Sequence, residues 1–386
     1  MTGNNPKILI LTHCFPTDSA DIPGNFLLDF TKCLSDYGAN VTVMTQKMNA
    51  VRDEEFISQT RSKIEYFDWK GGDKRFAQMK ISSFKDAISI ISLVLKGRKK
   101  YKQLVKADGF DFILSCWVIP AGIWALSLRK NNNSAVWALG SDISVYGNKK
   151  FFKPVIHFIL SRSAIIFSNS FNLQNEILNL FRKKSKMLYT SRNLPVPTER
   201  YEKSETLKLV YIGRLEKIKG PDILISALIL SKIEKFSLKI IGDGSLRKEL
   251  GSTVSSNKLE NKIEFLGMKS GAEIVDYLVL SDYLIISSIS ESMPVVFWES
   301  MQTSTPVLST RVGDMEYYCE KYNVGRICDP DEKSLSELLS FAYNFRPLRD
   351  ILSKNTAKVK ELSSIESSAN IIFSAALKSQ LKTLEN

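Results

Sequence analysis

LKLVYIGRLEKIKGPDILISAL, Leu207–Leu228, contains the pattern that decides the fold. Leu207–Ile212 is apolar except at Lys208, and the run stops at Gly213. A short polar loop carrying Arg214 and Lys219 follows, then Gly220-Pro221 and a helix-length apolar stretch. Proline suits a first helical turn, because its missing N–H would have no partner there. Strand, tight loop and helix make one building block of a parallel sheet.

The scheme repeats on both sides. Downstream strand candidates are Ser237–Ile241, Ile263–Leu266, Tyr283–Ser287 and Val307–Ser309. Upstream they are Ile8–Thr12, Val41–Thr45, Asp111–Cys116, Ala135–Leu139 and Ala164–Ser168, with helix-length segments Asn25–Tyr37, Pro120–Lys130 and Phe171–Phe181. Unbroken apolar runs of this length suit strands buried on both faces. The stretch TSRNLPVPTERYEKSET between Thr190 and Thr206 is polar and carries Pro195 and Pro197, so it continues neither element. The expected architecture is α/β: two doubly wound, Rossmann-like domains facing a central cleft. Residues 1–190 form the first, 191–206 a linker, and 207–363 the second. Open sheets of this kind take ligands outside the carboxyl ends of their strands.

Composition narrows the class. The chain has 386 residues, 44% hydrophobic and 24% charged, which excludes wholesale disorder. Its net charge of +12 is uneven. Residues 1–200 hold 29 Lys/Arg against 16 Asp/Glu, or +13; residues 201–386 hold 24 against 25, or −1. Only the first half reads as a surface for anionic partners. Five cysteines without a CxxC point to a reducing compartment, and two histidines, His13 and His157, make a His-rich zinc centre improbable. The N-terminal apolar run is too short for a signal peptide, and there is no run long enough to span a bilayer. The protein is therefore expected to be cytoplasmic, with peripheral attachment to the membrane face still open.

Two segments carry chemistry. ESMPVVFWE, Glu291–Glu299, sets two glutamates around a Ser-Met-Pro turn and the start of a helix. Free N–H groups at a helix start attract an anion, and a carboxylate can accept two hydrogen bonds from sugar hydroxyls. A capped amphipathic helix with an outward glutamate reads equally well from this segment alone. Arg214 and Lys219, at the carboxyl end of the Leu207–Ile212 strand, would neutralise a leaving diphosphate. The loop is not a P-loop, since Lys219 is followed by Gly-Pro.

GRLExxKG from Gly213, IIGDGSLRKEL at Ile240–Leu250, IEFLG at Ile263–Gly267 and the paired glutamates together resemble a family 4 (group 1) retaining glycosyltransferase of GT-B fold. The order and spacing of these blocks match over about residues 207–330. The first half is similar more loosely, through LTHCFPTDSADIPGNF, DFILSCWVIPAGIWA, WALGSDI and AIIFSNSF. The resemblance implies that Arg214 and Lys219 hold the donor diphosphate, Glu291 binds the transferred sugar and Glu299 the ribose. It gives the main chain of Ser292, Met293, Pro294 and Val295 contacts to sugar and phosphate, and it gives Gly213, Gly242 and Gly244 the shaping of the loops nearby. Gly24 would leave room for donor phosphate and acceptor, and a C-terminal helix at about 364–386 would cross back to the first domain.

This chain departs from the family where a histidine is common, at Leu139, which leaves Asp142 as the polar acceptor-side candidate; Ser292 also stands where glycine is usual. No metal or other cofactor is expected. Asp329-Pro-Asp331 spells a D-x-D but falls where the family has a surface turn, and Gly242-Asp-Gly244 lacks the third glycine of a dinucleotide site. Between Phe84 and Lys106, an apolar front (Ile88, Ile91, Leu95) precedes Arg98, Lys99, Lys100, Lys102 and Lys106. Two readings compete for it: anchorage on an anionic membrane, and a core helix, which its dense apolar stretch fits better. No nucleic-acid motif accompanies the charge. The expected function is transfer of a sugar from a nucleotide-sugar donor to a glycan or lipid-linked acceptor, in cell-surface polysaccharide synthesis. A nucleotide-sugar epimerase of the same fold and a catalytically silent glycan- or lipid-binding scaffold are the alternatives.

Overall fold

The computed structural model describes residues 5–18, 24–49, 53–76, 79, 83–127, 131–196, 204–269 and 271–384. Of the expected linker, residues 197–203 lie outside the described residues. The chain divides into two compact units: Met1–Arg192 with Ile365–Asn386, and Asn193–Ser364.

The first unit runs β1 (Lys7–Leu11), α1 (Phe26–Asp36), β2 (Asn40–Gln46), α2 (Glu54–Ser58), β3 (Lys63–Phe67), α3 (Phe84–Asp108) and β4 (Phe112–Cys116). It continues through α4 (Ala121–Trp124), β5 (Asn131–Ala138), α5 (Ser141–Ser144), α6 (Phe152–Arg162), β6 (Ser163–Ser168), α7 (Phe171–Phe181) and β7 (Lys186–Met187). The sheet order is β3-β2-β1-β4-β5-β6-β7, and all the pairings are parallel. Side chains alternate across the strands, so Ile8 and Ile10 of β1 face one layer and Leu9 and Leu11 the other.

The second unit runs β8 (Leu207–Ile212), α8 (Pro221–Ser231), β9 (Phe236–Ile241), α9 (Arg247–Ser256), β10 (Ile263–Gly267), α10 (Gly271–Val279) and β11 (Tyr283–Ile286). It ends with α11 (Val295–Gln302), β12 (Val307–Thr310), α12 (Met315–Tyr322), β13 (Gly325–Cys328), α13 (Glu332–Asn344), α14 (Leu348–Ser353) and α15 (Thr356–Leu362). Its sheet is again parallel, in the order β10-β9-β8-β11-β12-β13. Both sheets are doubly wound, and each reverses direction once: between β1 and β4 in the first unit, between β8 and β11 in the second.

The final helix, α16 (Ile365–Leu384), packs into the first unit. Ile365, Ala369, Ile372 and Ala376 are buried with Phe26, Phe30 and Leu34 of α1 and with Ile8 and Ile10 of β1. Each fully buried large aliphatic contributes roughly 1.5–3 kcal/mol. Ser368 exchanges hydrogen bonds with both main-chain groups of Tyr189, donating to its carbonyl and accepting from its N–H. Among the described residues, no helix is long and apolar enough to cross a membrane. None of the five cysteines forms a disulfide.

Two expectations need correction, and one edge strand lies beyond them. The helix expected over Pro120–Lys130 is four residues long, Ala121–Trp124; Gly122 lies against Ile159, and residues 128–130 fall outside the described residues. β3 was not anticipated, because its apolar Ile64 and Tyr66 alternate with Lys63 and Glu65, as suits an edge strand. The 84–106 segment is a helix, but its apolar front does not enter the core. Ile88, Ile91 and Leu95 are exposed, and the face turned inward holds Asp86, Ser89, Ser92, Leu93, Gly97 and Leu104.

Candidate functional site

The second unit's reversal point gathers the residues singled out for donor binding. β8 ends at Ile212 and leads through Gly213 and Arg214 to a single 3₁₀ turn, Lys217–Lys219. Gly220 closes that turn with φ +61°, and a Cβ there would stand 2.0 Å from the Ser287 carbonyl oxygen, so the loop lies directly on the end of β11. The Tyr211 hydroxyl, 3.2 Å from the Arg214 carbonyl and 3.3 Å from that of Lys219, donates to this loop, and Ser287 Oγ donates to the Lys219 carbonyl at 3.3 Å. Ile289 N–H bonds Ile218 O at 2.9 Å. These main-chain ties fix the point at which the Lys219 side chain leaves the loop.

Lys219 Nζ forms an ion pair with Glu291 Oε1, joining residues 72 apart in sequence. Ser288 Oγ donates to the same carboxylate oxygen at 3.2 Å. The side chains are 23% and 14% exposed, so the pair is shielded from solvent and yet reachable. Arg214 is exposed and makes no ion pair among the described residues. The reversal point therefore presents one cation bound to a carboxylate and one cation in solvent, where strands of such a sheet meet ligands.

The glutamate loop leads into α11. Pro294 caps that helix instead of opening its first turn, with Val295 the first helical residue. Met293 is buried, and Ser292 is half-buried over Gly313. Gly313 has φ +50°, and a Cβ on it would sit 2.1 Å from the Ser292 carbonyl oxygen. Glu299 is buried on α11 beside fully buried Phe297 and Trp298. Thr310 Oγ1 donates to the Ser288 carbonyl at 2.6 Å and lies 3.2 Å from that of Ile286, holding the β11 exit.

The glycines of the GRLExxKG and GDG blocks serve each other. Gly242, at φ +135°, would direct a Cβ to 1.9 Å from the Gly213 carbonyl oxygen, and Gly244 to 2.6 Å from that of Leu215. Gly213 N–H bonds Ile241 O at 3.0 Å, and Leu215 N–H bonds Asp243 O at 2.9 Å. Two loops thus run in main-chain contact, which no side chain permits.

The first unit's reversal point is built differently. Gly24, at φ +81°, lies on the Cys14 carbonyl, 2.1 Å from where its Cβ would be. That close approach is to the chain's own backbone, and residues 19–23 beside it fall outside the described residues. Asp142 is buried, and main-chain donors surround its carboxylate: Val118 N–H at 2.7 Å, Leu139 at 3.1 Å and Gly140 at 3.0 Å. The side chain braces the turn after β5 against the turn after β4. Burial raises its carboxyl from 3.8 to about 6 against the opposing pull of those N–H groups.

Sequence reasoning passed over the neighbours of that brace. His13, following β1, is buried, with its ring 4.8 Å from that of Trp117 and 5.8 Å from that of Phe76. Its Nδ1 has no hydrogen-bond partner, and burial, with the charge of Arg75, lowers its pKa to about 3. Trp117 follows β4 in the left-handed region at φ +67°. Placement after the first strand was the available signal for His13; nothing local marks Trp117.

Asp331 of the D-x-D segment caps α13, accepting from Ser334 N–H and from Ser334 Oγ, both at 2.8 Å. Asp329 pairs with Arg311 at 3.3 Å. Both carboxylates have structural partners.

Residues 197–359 match the family described as glycosyl transferases group 1. An uncharacterised glycosyltransferase of Methanocaldococcus jannaschii is 29% identical over 269 residues, 69% of this chain and 74% of that protein. The N-acetyl-alpha-D-glucosaminyl L-malate synthase of Bacillus anthracis is 23% identical over 60% of this chain and 64% of its own. Among solved structures, Anabaena HepE in complex with UDP-glucose aligns at a TM-score of 0.70 with 17% identity, over 97% of this chain and 99% of that one. The sucrose-phosphate synthase of Thermosynechococcus elongatus aligns at 0.70 with 15% identity, over 99% and 98%. The structural likenesses establish the fold as GT-B.

Proposed function

We propose that this chain is a group 1 glycosyl transferase, the family that its residues 197–359 match. It is a retaining hexosyltransferase of family 4 that moves a sugar from a nucleotide-sugar donor to a glycan or lipid-linked acceptor. The reaction takes place on the cytoplasmic side, in the synthesis of a cell-surface polysaccharide. The observation that carries this reading is the Lys219–Glu291 ion pair at the reversal point of the second sheet.

In the resting protein the two charges satisfy each other. An arriving donor exchanges those partners: its diphosphate takes Lys219 and the solvent-facing Arg214, and the released Glu291 accepts hydroxyls of the sugar. Glu299 receives the ribose hydroxyls, and the main chain of residues 292–295 contacts sugar and phosphate. Gly213, Gly242 and Gly244 keep the neighbouring loops close enough for the nucleotide to lie along them.

As the bond from the sugar's anomeric carbon to the phosphate oxygen breaks, its electron pair remains on the diphosphate, where Lys219 and Arg214 stabilise the charge. The acceptor hydroxyl attacks from the face that the diphosphate leaves, and its proton passes to the departing phosphate oxygen. Two cations on main-chain-tied loops can supply this stabilisation without a metal, so activity should persist in EDTA.

Incubating the purified protein with UDP-sugars, UDP-glucose first, and then GDP-sugars, while following nucleotide release, tests the reading. Acceptor-stimulated release that Lys219→Ala and Arg214→Ala lower supports it. Interconversion of the donor sugar without release would favour the epimerase, and inert behaviour with all donors and acceptors would favour the scaffold.

A further inference from the structure

We propose that the outward face of α3 is a docking surface for an anionic lipid bilayer. Phe84, Ile88, Ile91 and Leu95 are 83%, 37%, 58% and 62% exposed. Their spacings of four, three and four residues put them on one face of the helix. The same line continues through Lys99, Lys102 and Lys106, all exposed. The helix presents three apolar turns and then three cationic ones.

The opposite face explains why core packing does not account for the apolar stripe. In the first turns the inward side chains include Asp86, paired with Lys74 at 2.8 Å, and Ser89, which donates to the Lys70 carbonyl at 3.1 Å, and of the apolar ones Ile90 and Leu93 already reach the core. Further on, Gly97 approaches the Trp124 ring so closely that a Cβ would lie 2.5 Å from Nε1. A helix adapted to water would keep serine and aspartate outside and would not add Phe84, Ile88, Ile91 and Leu95 on its solvent side. The fold is complete without these four large apolar side chains.

Charge selects the occupant. Lys85, Lys96, Lys99, Lys102 and Lys106 are exposed and make no ion pair among the described residues. Asp86 is the one acid between Phe84 and Lys106, and it is buried. A second copy of the chain would bring lysines against lysines, whereas an anionic headgroup layer complements them. The apolar stripe spans about 16 Å at ~1.5 Å per residue, short of a ~30 Å hydrocarbon core and suited to shallow insertion with lysine ammonium groups in the headgroups. Phe151, 77% exposed between Lys150 and Lys153, repeats the same combination elsewhere in the unit. The surface involves no donor or acceptor, so the proposal stands independently of the transfer reading.

Flotation of the whole chain with vesicles of about one-third phosphatidylglycerol in phosphatidylcholine, beside pure phosphatidylcholine vesicles, tests it across a salt series. The wild-type chain is expected to float with the anionic vesicles and to lose binding as salt rises. Combining Ile88→Ser, Ile91→Ser and Leu95→Ser should lower partition by roughly ten-fold or more at every salt concentration. Combining Lys99→Glu, Lys102→Glu and Lys106→Glu should lower low-salt binding by roughly five-fold or more per residue. Thermal melts check that both variants remain folded, as expected for exposed positions. Absence of wild-type binding, unchanged binding by the serine variant, or a wild-type dimer that the serine substitutions dissolve would each overturn the proposal.

Discussion

The two reversal points share a topology and differ in chemistry. In each sheet the first and fourth strands of the unit lie side by side, and the chain leaves both at the same edge. The second unit fills that place with an ion pair between Lys219 and Glu291 and leaves Arg214 in solvent. The first unit fills it with an aromatic cluster around a neutral, buried His13 and with a carboxylate, Asp142, occupied by main-chain donors. One edge holds charge that a ligand can exchange; the other uses its polar groups to brace itself. Equivalent positions in a fold thus carry no common function, and the site's own groups decide.

The largest expected effect is on the exchangeable side. Lys219→Ala should reduce sugar transfer by roughly 10²–10³-fold, as for deletion of a donor that stabilises transition-state charge, and the melting temperature should change little. A loss of activity that merely tracks loss of fold would remove the contrast between the edges. Next comes backbone contact. Gly242→Ala puts a Cβ 1.9 Å from the Gly213 carbonyl in a left-handed region and should cost on the order of 3 kcal/mol in urea unfolding. At Gly213 itself a Cβ would find its nearest atom, the Tyr211 hydroxyl, at 3.3 Å, and the change to Ala should cost less than about 1 kcal/mol. Equal costs would mean that loop approach is not what these glycines provide.

The bracing side should reveal itself through pH. Folding raises the Asp142 carboxyl to about 6 and so favours its protonated form; that contribution is full below pH ~4 and fades as pH rises through 6. Folding lowers His13 to about 3 and favours the neutral ring; that contribution is full above pH ~6.5 and fades as pH falls toward 3. Between pH ~4 and ~6 the two slopes oppose each other. Asp142→Asn should leave the His13 slope exposed, so that stability falls more steeply on acidification, and should itself cost ~1–3 kcal/mol by turning a donor toward a main-chain N–H. Urea melts from pH 4 to 7 check both statements, and parallel curves for variant and wild type would break the assignment. The smallest effect belongs to the D-x-D segment. Asp331→Ala should loosen the cap of α13 and leave transfer unchanged, with and without EDTA.

Legibility followed the same division. Parallel strands were readable because burial on both faces makes short apolar runs, as in Leu207–Ile212, which β8 occupies throughout. Edge strand β3 escaped because Lys63 and Glu65 interrupt its apolar pattern. Lys219 and Glu291 belong to separate motifs, each of which has a structural explanation of its own; the fold brings them into contact across 72 residues. His13 carries one local signal, its place after the first strand, and Trp117 none; the two acquire meaning only beside each other. Asp142 reads in the sequence as an acceptor-side candidate, and only the fold shows the main-chain N–H groups that hold its carboxylate.

The amino-acid sequence determined the strands buried on both faces, where the doubly wound pattern divides, and which loops hold Arg214, Lys219 and Glu291. All of these depend on local periodicity and on glycine and proline placed between elements. Tertiary structure alone decided that Lys219 and Glu291 neutralise each other, that Gly242 exists for Gly213, and that the apolar front of α3 faces outward. Periodicity shows that a helix has an apolar face; only the neighbours it packs against determine whether that face meets the core or the solvent.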